Sequence, residues 1–456
     1  MSEHPATPRE LPRAIGFWGA SAVMVGIMVG SGIFKTPPVL ADYIGSPWMI
    51  LALWAVGGAL SLCGALTYAE LATMYPQTGG VYVFLREAYG RGMAFVFGWT
   101  YLLLSKPFAA AGIAVVFAEH LNPLLGVNWD ARVTTSVVLI TLTVVNTFGL
   151  RLGSGVAAFL TAIKLAALCA IVVLGLAVLN GSTGNFASVP VPPIGGHAVS
   201  VLTALAVGMS LIMWTYDGWS DVGAIAGEVR EPQRNLPRTY LVGTAAVTLL
   251  YLAVNAVYMW MVPLTEMRGT DNVGPVVAGR IMEGLGYAAN LGVVIVGVVV
   301  LLSTLGSTHG SIITGARISY AQARDGLLFR FLGHVEPRFR TPAVSLWVQL
   351  SLSLGALWYA GSFKDLAGTF VFTMWIFYGL AAGAIFILRA RHPDAERPYR
   401  CWGYPWVPGL FIAASLAMTA LGLIESPKQN LIWVGVLLAG VPVYVVWRRL
   451  NPATHD

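Results

Sequence analysis

Long apolar runs alternate with short polar connections along this chain, and each run is long enough to cross a bilayer as a helix. Twelve are readable, at roughly 14–36, 46–74, 92–121, 132–150, 155–179, 199–227, 238–262, 286–322, 342–361, 364–389, 405–424 and 429–448. The eighth carries an amphipathic extension. Two runs are interrupted. The first contains Gly26-Ile27-Met28-Val29-Gly30-Ser31-Gly32-Ile33-Phe34, and the sixth contains Tyr216-Asp217-Gly218-Trp219-Ser220-Asp221-Val222-Gly223. In hydrocarbon a backbone freed from helical bonding must line a cavity or bind something. Matched breaks, five helices apart, predict two halves built alike with a substrate site where they meet.

Composition narrows the class. Of 456 residues, 57% are hydrophobic and 11% charged, and the mean hydropathy is +0.72. Soluble domains carry about 25% charged residues. A transmembrane barrel would need short alternating segments, which are absent. The chain therefore reads as an all-α polytopic membrane protein. Its net charge of +6 follows from where Arg sits rather than from a nucleic-acid surface. With the N-terminus inside, 19 Lys and Arg residues fall on inner loops and tails and 6 on outer ones, while Lys106 and Lys164 lie within runs. That bias predicts both termini in the cytoplasm. The first run is too long for a cleaved signal peptide. Cys63, Cys169 and Cys401 imply no disulfide framework. The organisation read from the runs is a tail at 1–13, a first repeat at 14–180, a second at 199–390, two accessory helices within 391–448 and a tail at 449–456. Asn180 to His197 reads as an outer linker, rich in Gly, Ser and Pro.

Several ordered motifs resemble one family. Gly30-Ser31-Gly32-Ile33-Phe34 is similar to the first-helix motif of the amino acid–polyamine–organocation (APC) superfamily. Tyr68-Ala69-Glu70-Leu71 followed by Pro76-Gln77-Thr78-Gly79-Gly80-Val81-Tyr82 resembles its second-helix end and next loop. Glu228-Val229-Arg230-Glu231-Pro232-Gln233-Arg234-Asn235-Leu236-Pro237-Arg238 resembles its stretch after the sixth helix. Ser303-Thr304-Leu305-Gly306-Ser307, with Ala316-Arg317 and Ala323-Arg324-Asp325-Gly326, resembles its eighth. The detail is nearest to the L-type amino acid transporter family, over about residues 14 to 400. The resemblance implies a LeuT-type fold of 12 transmembrane helices: a five-plus-five inverted repeat with broken helices one and six, plus two accessory helices. It also implies alternating access, with amino acids as substrate.

The residues at the breaks suit that role. A helix start with small side chains lets a carboxylate approach backbone N–H groups, so Gly30, Ser31 and Gly32 are the expected carboxylate site. Carbonyls near Ile27 and Val29 and in the sixth-helix break, at Tyr216, Asp217 and Gly218, are the expected acceptors for the α-ammonium. By the resemblance, Trp214 is an aromatic gate that closes over the substrate. Asp217 has two readings: it binds the ammonium or a cationic side chain, or it caps the resumed helix. Lys164 lies about nine residues, or roughly 13 Å, into the fifth run. The resemblance places its ammonium where sodium-coupled relatives hold their cation, bonded to carbonyls near Gly26 and to the hydroxyls of Ser303 and Thr304. It is then either a proton carrier or a fixed charge.

Other polar positions keep two readings each. Lys106, before Pro107, pairs with an acid or lines the pathway. His309 is a proton-sensitive site or a satisfied interior residue. Phe372, Trp375 and Tyr378 form a cavity wall or core packing. Among Glu70, Arg86, Glu228, Arg317 and Arg324, some are expected to form an inner gate of ion pairs. No HExxH, GxSxG or P-loop pattern supports an enzyme, and no metal or cofactor is expected. A channel would show a filter sequence, and a non-transporting sensor an appended domain. A disulfide-linked ancillary subunit is not expected, since the loop from Asn122 to Asp130 holds no Cys. The sequence thus predicts a sodium-independent transporter of neutral L-amino acids in a prokaryotic inner membrane, by exchange. Proton symport and acceptance of cationic amino acids are the alternatives.

Overall fold

The computed structural model describes residues 13, 15–148, 154–178, 180–194, 198–336, 338–339 and 341–450. Most of the two expected tails, 1–13 and 449–456, lies outside the described residues, as do Arg9, Arg151, Arg340 and His197.

Helices dominate, and their starts are written locally. Ser46, Asp130, Ser200 and Ser362 each accept a backbone N–H from the first turn of the helix that follows, which satisfies a donor that the helix itself cannot. In chain order the membrane helices begin with α1 (Phe17–Met28) and α2 (Gly32–Tyr43), the two halves of the first run, then α3 (Pro47–Met74). A short helix, α4 (Val81–Tyr89), precedes α5 (Arg91–Thr100), which passes through a π turn at Tyr101–Ser105 into α6 (Lys106–Leu124). Next come α7 (Ala131–Thr147), α8 (Ser154–Ala177) and α9 (Val201–Tyr216). A 3₁₀ run over Trp219–Glu228 continues α9. Then follow α10 (Pro232–Arg238), α11 (Thr244–Met261), the outer pieces α12 (Leu264–Met267) and α13 (Val273–Gly284), and α14 (Ala289–Arg324). The last four are α15 (Ala343–Ala360), α16 (Phe363–Arg391), α17 (Trp406–Glu425) and α18 (Pro427–Leu450).

Among the described residues ten segments are long and apolar enough to cross a membrane, and two shorter apolar helices, Ala131–Thr147 and Thr161–Ala177, occupy the fourth and fifth expected positions. The first span runs to Tyr43 rather than 36, with Pro37 and Pro38 inside α2. The second half of the sixth run is 3₁₀ rather than α. A β-carbon at Gly223 would stand 3.0 Å from the Gly80 Cα, so this segment lies directly against the backbone that leads into α4.

The two broken helices share their ends. The Ile15 N–H donates to the Glu228 carbonyl at 2.9 Å, and the Arg230 N–H to the Ile15 carbonyl at 2.8 Å. Behind them lies a fully buried aromatic layer. Tyr68 meets Trp219 with centroids 5.0 Å apart, and Trp219 meets Phe411 at 5.7 Å. By contrast α17 and α18 are little buried and stand at the edge of the bundle, as the accessory pair should.

Candidate substrate-binding site

The two breaks lie against each other. In the first, the Val29 N–H donates to the Val25 carbonyl at 2.7 Å and the Gly30 N–H to the Met28 carbonyl at 2.8 Å, which ends α1. The earliest bonds of α2 run from Phe34 and Lys35 to the Ser31 carbonyl, both at 3.1 Å. The N–H groups of Ser31, Gly32 and Ile33 therefore precede the helical ladder and have no acceptor within it. In the second break, Gly218 takes φ 111°. A β-carbon there would stand 2.8 Å from Ile27 Cγ2 and 2.9 Å from the Met28 nitrogen. Glycine alone brings the two chains this close.

A cavity of about 540 Å³ opens at this junction. Ile27, Met28, Gly30, Ser31 and Gly32 line it from the first break, and Trp214, Thr215, Asp217 and Asp221 from the second. Helix α6 adds Lys106, Ala109 and Ile113, α14 adds Ser307 and Ser311, and α16 adds Phe370. Trp214 stands edge-on to Phe363 and Phe370, with centroids 5.8 and 5.2 Å apart.

Ile27, Gly30, Ser31, Gly32, Trp214 and Asp217 thus meet where the sequence expects a ligand. Val29, Tyr216 and Gly218 do not line the cavity. The Val29 carbonyl accepts from Ser303 Oγ at 3.3 Å. Tyr216 is fully buried and donates its hydroxyl to the Trp54 carbonyl at 3.0 Å. Two residues along a helix turn the side chain by about 200°, so with Trp214 on the cavity Tyr216 faces α3. Gly218 serves the close approach of the two breaks instead.

Lys164 reaches the first break. Its Nζ donates to the Gly26 carbonyl at 3.1 Å and to Ser307 Oγ at 3.1 Å. Ser307 takes the place expected for Ser303 and Thr304. Thr304 bonds back to the Val300 carbonyl of its own helix at 2.8 Å, and Ser303 bonds Val29. Ser307 lies one turn beyond Ser303 on the same face of α14, and that is the turn Lys164 reaches.

Below the cavity sits a second, of about 350 Å³, bounded by Gly79, Gly80, Tyr101, Ser220, Ala224 and Tyr378 among others. Lys106, Asp217, Asp221 and Phe370 line both. Pro107 has no N–H to continue the ladder, and the π turn just before it delivers Lys106 to this position. Lys106 Nζ lies 3.6 Å from Asp221 Oδ1, so the paired reading and the pathway reading of Lys106 describe one geometry. Asp217 accepts a hydrogen bond from the Tyr378 hydroxyl at 2.7 Å. The cavity-facing stripe of α16 is Phe370, Met374 and Tyr378. Trp375 instead packs on Phe411 with centroids 5.4 Å apart, and Phe372 lies against Gly422.

The charged pairs sort by position. Arg317 meets Glu228 at 3.1 Å and Arg86 meets Asp325 at 2.8 Å, both on the face that carries Ile15. The Tyr82 hydroxyl also donates to Asp325, at 2.6 Å. Burial, reinforced by that carboxylate, holds this phenol well above its usual range, so it remains a donor. Glu70 is fully buried and fixed by Arg389 at 2.9 and 2.7 Å and by the Cys401 N–H at 2.6 Å, which makes it a strut between α3 and α16. Arg324 has no acidic partner among the described residues and lies over the Tyr320 ring. On the opposite face Lys35 meets Glu119 at 2.6 Å. Neither ring nitrogen of His309 has a protein partner among the described residues.

Residues 15–447 match the amino acid permease family. The chain belongs to this family, within the APC superfamily. The permease is 32% identical to the b(0,+)-type amino acid transporter 1 of Oryctolagus cuniculus, over 88% of this chain and 80% of that one. It is 30% identical to the serine/threonine exchanger SteT of Bacillus subtilis (strain 168), over 95% and 96%. It is 29% identical to the human cystine/glutamate transporter, over 96% and 87%. Among solved structures it resembles Mhp1, a nucleobase-cation-symport-1 family transporter in a closed conformation with bromovinylhydantoin bound. The TM-score is 0.51 at 16% identity, covering 97% of this chain and 96% of that one. The fold is of the LeuT type, and the permease is a multi-span amino acid transporter rather than an enzyme.

Sequence reasoning missed Thr215, Ser307, Ser311 and Phe370 as lining residues, and the partnership of Asp221 with Lys106. A signal existed for part of this. Ser303, Ser307 and Ser311 recur every four residues, a polar stripe on one face of an apolar helix.

Proposed function

We propose that this permease exchanges neutral L-amino acids by alternating access, independently of sodium, and that it works without an ancillary subunit. The observation that carries the reading is the Lys164 ammonium bonded to the Gly26 carbonyl and to Ser307. It ties the first-helix break to α14 with a protein charge, where the resemblance puts a bound cation in sodium-coupled relatives. The unladdered N–H groups of Ser31 and Gly32 receive the substrate carboxylate. Carbonyls of both breaks receive the ammonium, and Trp214 closes over the ligand. That a relative bears the name of a serine/threonine exchanger supports exchange. The excess of Arg on one set of loops supports cytoplasmic termini in a prokaryotic inner membrane.

Asp217 favours a second reading, in which cationic amino acids are also accepted. Its carboxylate faces the cavity and has a phenol as partner, with no ion pair among the described residues. Replacing Asp217 with Gly is expected to weaken arginine binding about tenfold more than leucine binding. Equal losses in a competition assay would reduce Asp217 to holding Tyr378.

The deciding experiment uses purified protein in sodium-free liposomes, either empty or loaded with leucine, and follows uptake of labelled alanine, serine, leucine and arginine. Uptake into loaded vesicles alone is the expected result. Uptake into empty vesicles driven by a proton gradient would replace exchange with symport and make Lys164 the first candidate carrier.

A further inference from the structure

Lys106, Asp217, Asp221 and Phe370 separate the two cavities. Among the described residues Lys106 is the one cation that lines either. Its position is set by the π turn and Pro107 on α6, whereas Asp221 belongs to the 3₁₀ run, its N–H donating to the Gly218 carbonyl at 3.2 Å. The pair therefore joins an intact helix to a broken one. At 3.6 Å it is a charge contact rather than a tight hydrogen bond. The Lys106 ammonium also lies 5.7 Å from the centroid of the Tyr101 ring. Asp217 is held separately, by Tyr378.

The charge balance of this septum bears on the substrate side chain. The backbone charges of an amino acid are met by the two breaks, so what reaches the septum is the side chain. An acidic side chain there finds the single ammonium already matched by Asp221, with Asp217 beside it. A carboxylate desolvated without a partner is strongly disfavoured. An aliphatic side chain pays no such penalty.

We propose that Asp221 is a specificity-determining residue that acts by masking Lys106. With the mask in place acidic amino acids are excluded; with Asp221 neutralised, Lys106 becomes a site for a side-chain carboxylate. The proposal rests on the reading of the cavity as an amino acid site.

The test compares the wild type, Asp221→Asn, Lys106→Gln and the double variant, each as the full chain in sodium-free liposomes loaded with leucine. The readout is the ratio of glutamate to leucine uptake. The wild type is expected to take leucine and not glutamate. Asp221→Asn is expected to raise the ratio about tenfold or more, and adding Lys106→Gln to return it to the wild-type value. Leucine uptake by Asp221→Asn with no rise in the ratio overturns the proposal, as does a rise that survives loss of Lys106, or glutamate uptake by the wild type. Should Asp221→Asn fail to insert, the double variant decides, because it removes both charges together. Recovery of leucine exchange there supports a masking pair, and continued failure assigns Asp221 a structural task instead. A wild-type protein that takes up no amino acid overturns the functional reading itself, a result distinct from leucine uptake without a change in ratio.

Discussion

At Lys164 a buried ammonium is satisfied by acceptors from two helices, the Gly26 carbonyl and Ser307 Oγ. Truncating it leaves both without their donor, at a cost of about 1–3 kcal/mol per unsatisfied group. The helices around it keep their own ladders, so the loss should fall on the geometry of the break more than on the fold. Lys164→Ala is expected to lower exchange about tenfold or more while the solubilised protein stays monodisperse and melts only a few degrees lower. Uptake at the wild-type rate would remove Lys164 from the transport cycle. The residue itself was legible, since a lysine so deep in an apolar run has few uses. Its hydroxyl partner was not. Ser303, Thr304 and Ser307 all lie within one turn or so, and the choice among them depends on the rotation of α14 against α8, which arises from packing.

The breaks are the elements on which the site depends, and they were the most legible part of the chain, because glycine clusters inside apolar runs have a direct meaning for backbone bonding. Less legible were α4 and α13, short helices outside the long runs, and the 3₁₀ character of Trp219–Glu228. That segment lies against Gly80, a neighbour distant in sequence. The face that each break presents was also hidden: Tyr216 adjoins the break in sequence yet faces Trp54. Gly218 tests the role of the break as an element. Its φ of 111° and the backbone atom 2.9 Å from a β-carbon leave no room for alanine, whereas a β-carbon at Gly310, within α14, meets nothing within 4 Å. Gly218→Ala is expected to cost about 2–3 kcal/mol and to abolish leucine binding. Gly310→Ala should leave the melting temperature equal or slightly higher. Thermal unfolding with and without leucine measures both, and a Gly218→Ala protein that still shows the full leucine shift would mean that the two breaks need not touch.

Alternating access requires the molecule to close one face while the other opens, and its pairs indicate where that occurs. On the Ile15 face, Glu228 at the end of the broken sixth helix meets Arg317 on α14, and Asp325 receives Arg86 and Tyr82 from α4. These contacts join parts that must separate for the lower cavity to reach that face. Glu70, fully buried among Arg389, Arg397 and the Cys401 N–H, joins parts that have no need to separate, and its burial makes its rupture costly. The Glu228–Arg317 pair is only partly shielded, with side-chain exposures of 17% and 30%, so it contributes about 1 kcal/mol. Removing it should shift the balance toward opening on this face by about fivefold. A cysteine at Ala224, which lines the lower cavity, reports that shift once Cys63, Cys169 and Cys401 are replaced by serine. Glu228→Gln is expected to speed labelling of this cysteine by a polar thiol reagent about fivefold, and Arg317→Gln should do the same. The pair of substitutions together should add little, because both remove one contact. Glu70→Gln should instead lower the yield of folded protein. Labelling that is unchanged by either Glu228→Gln or Arg317→Gln would move the gate elsewhere, to the Asp325 contacts with α4 or to the Lys106–Asp221 septum itself.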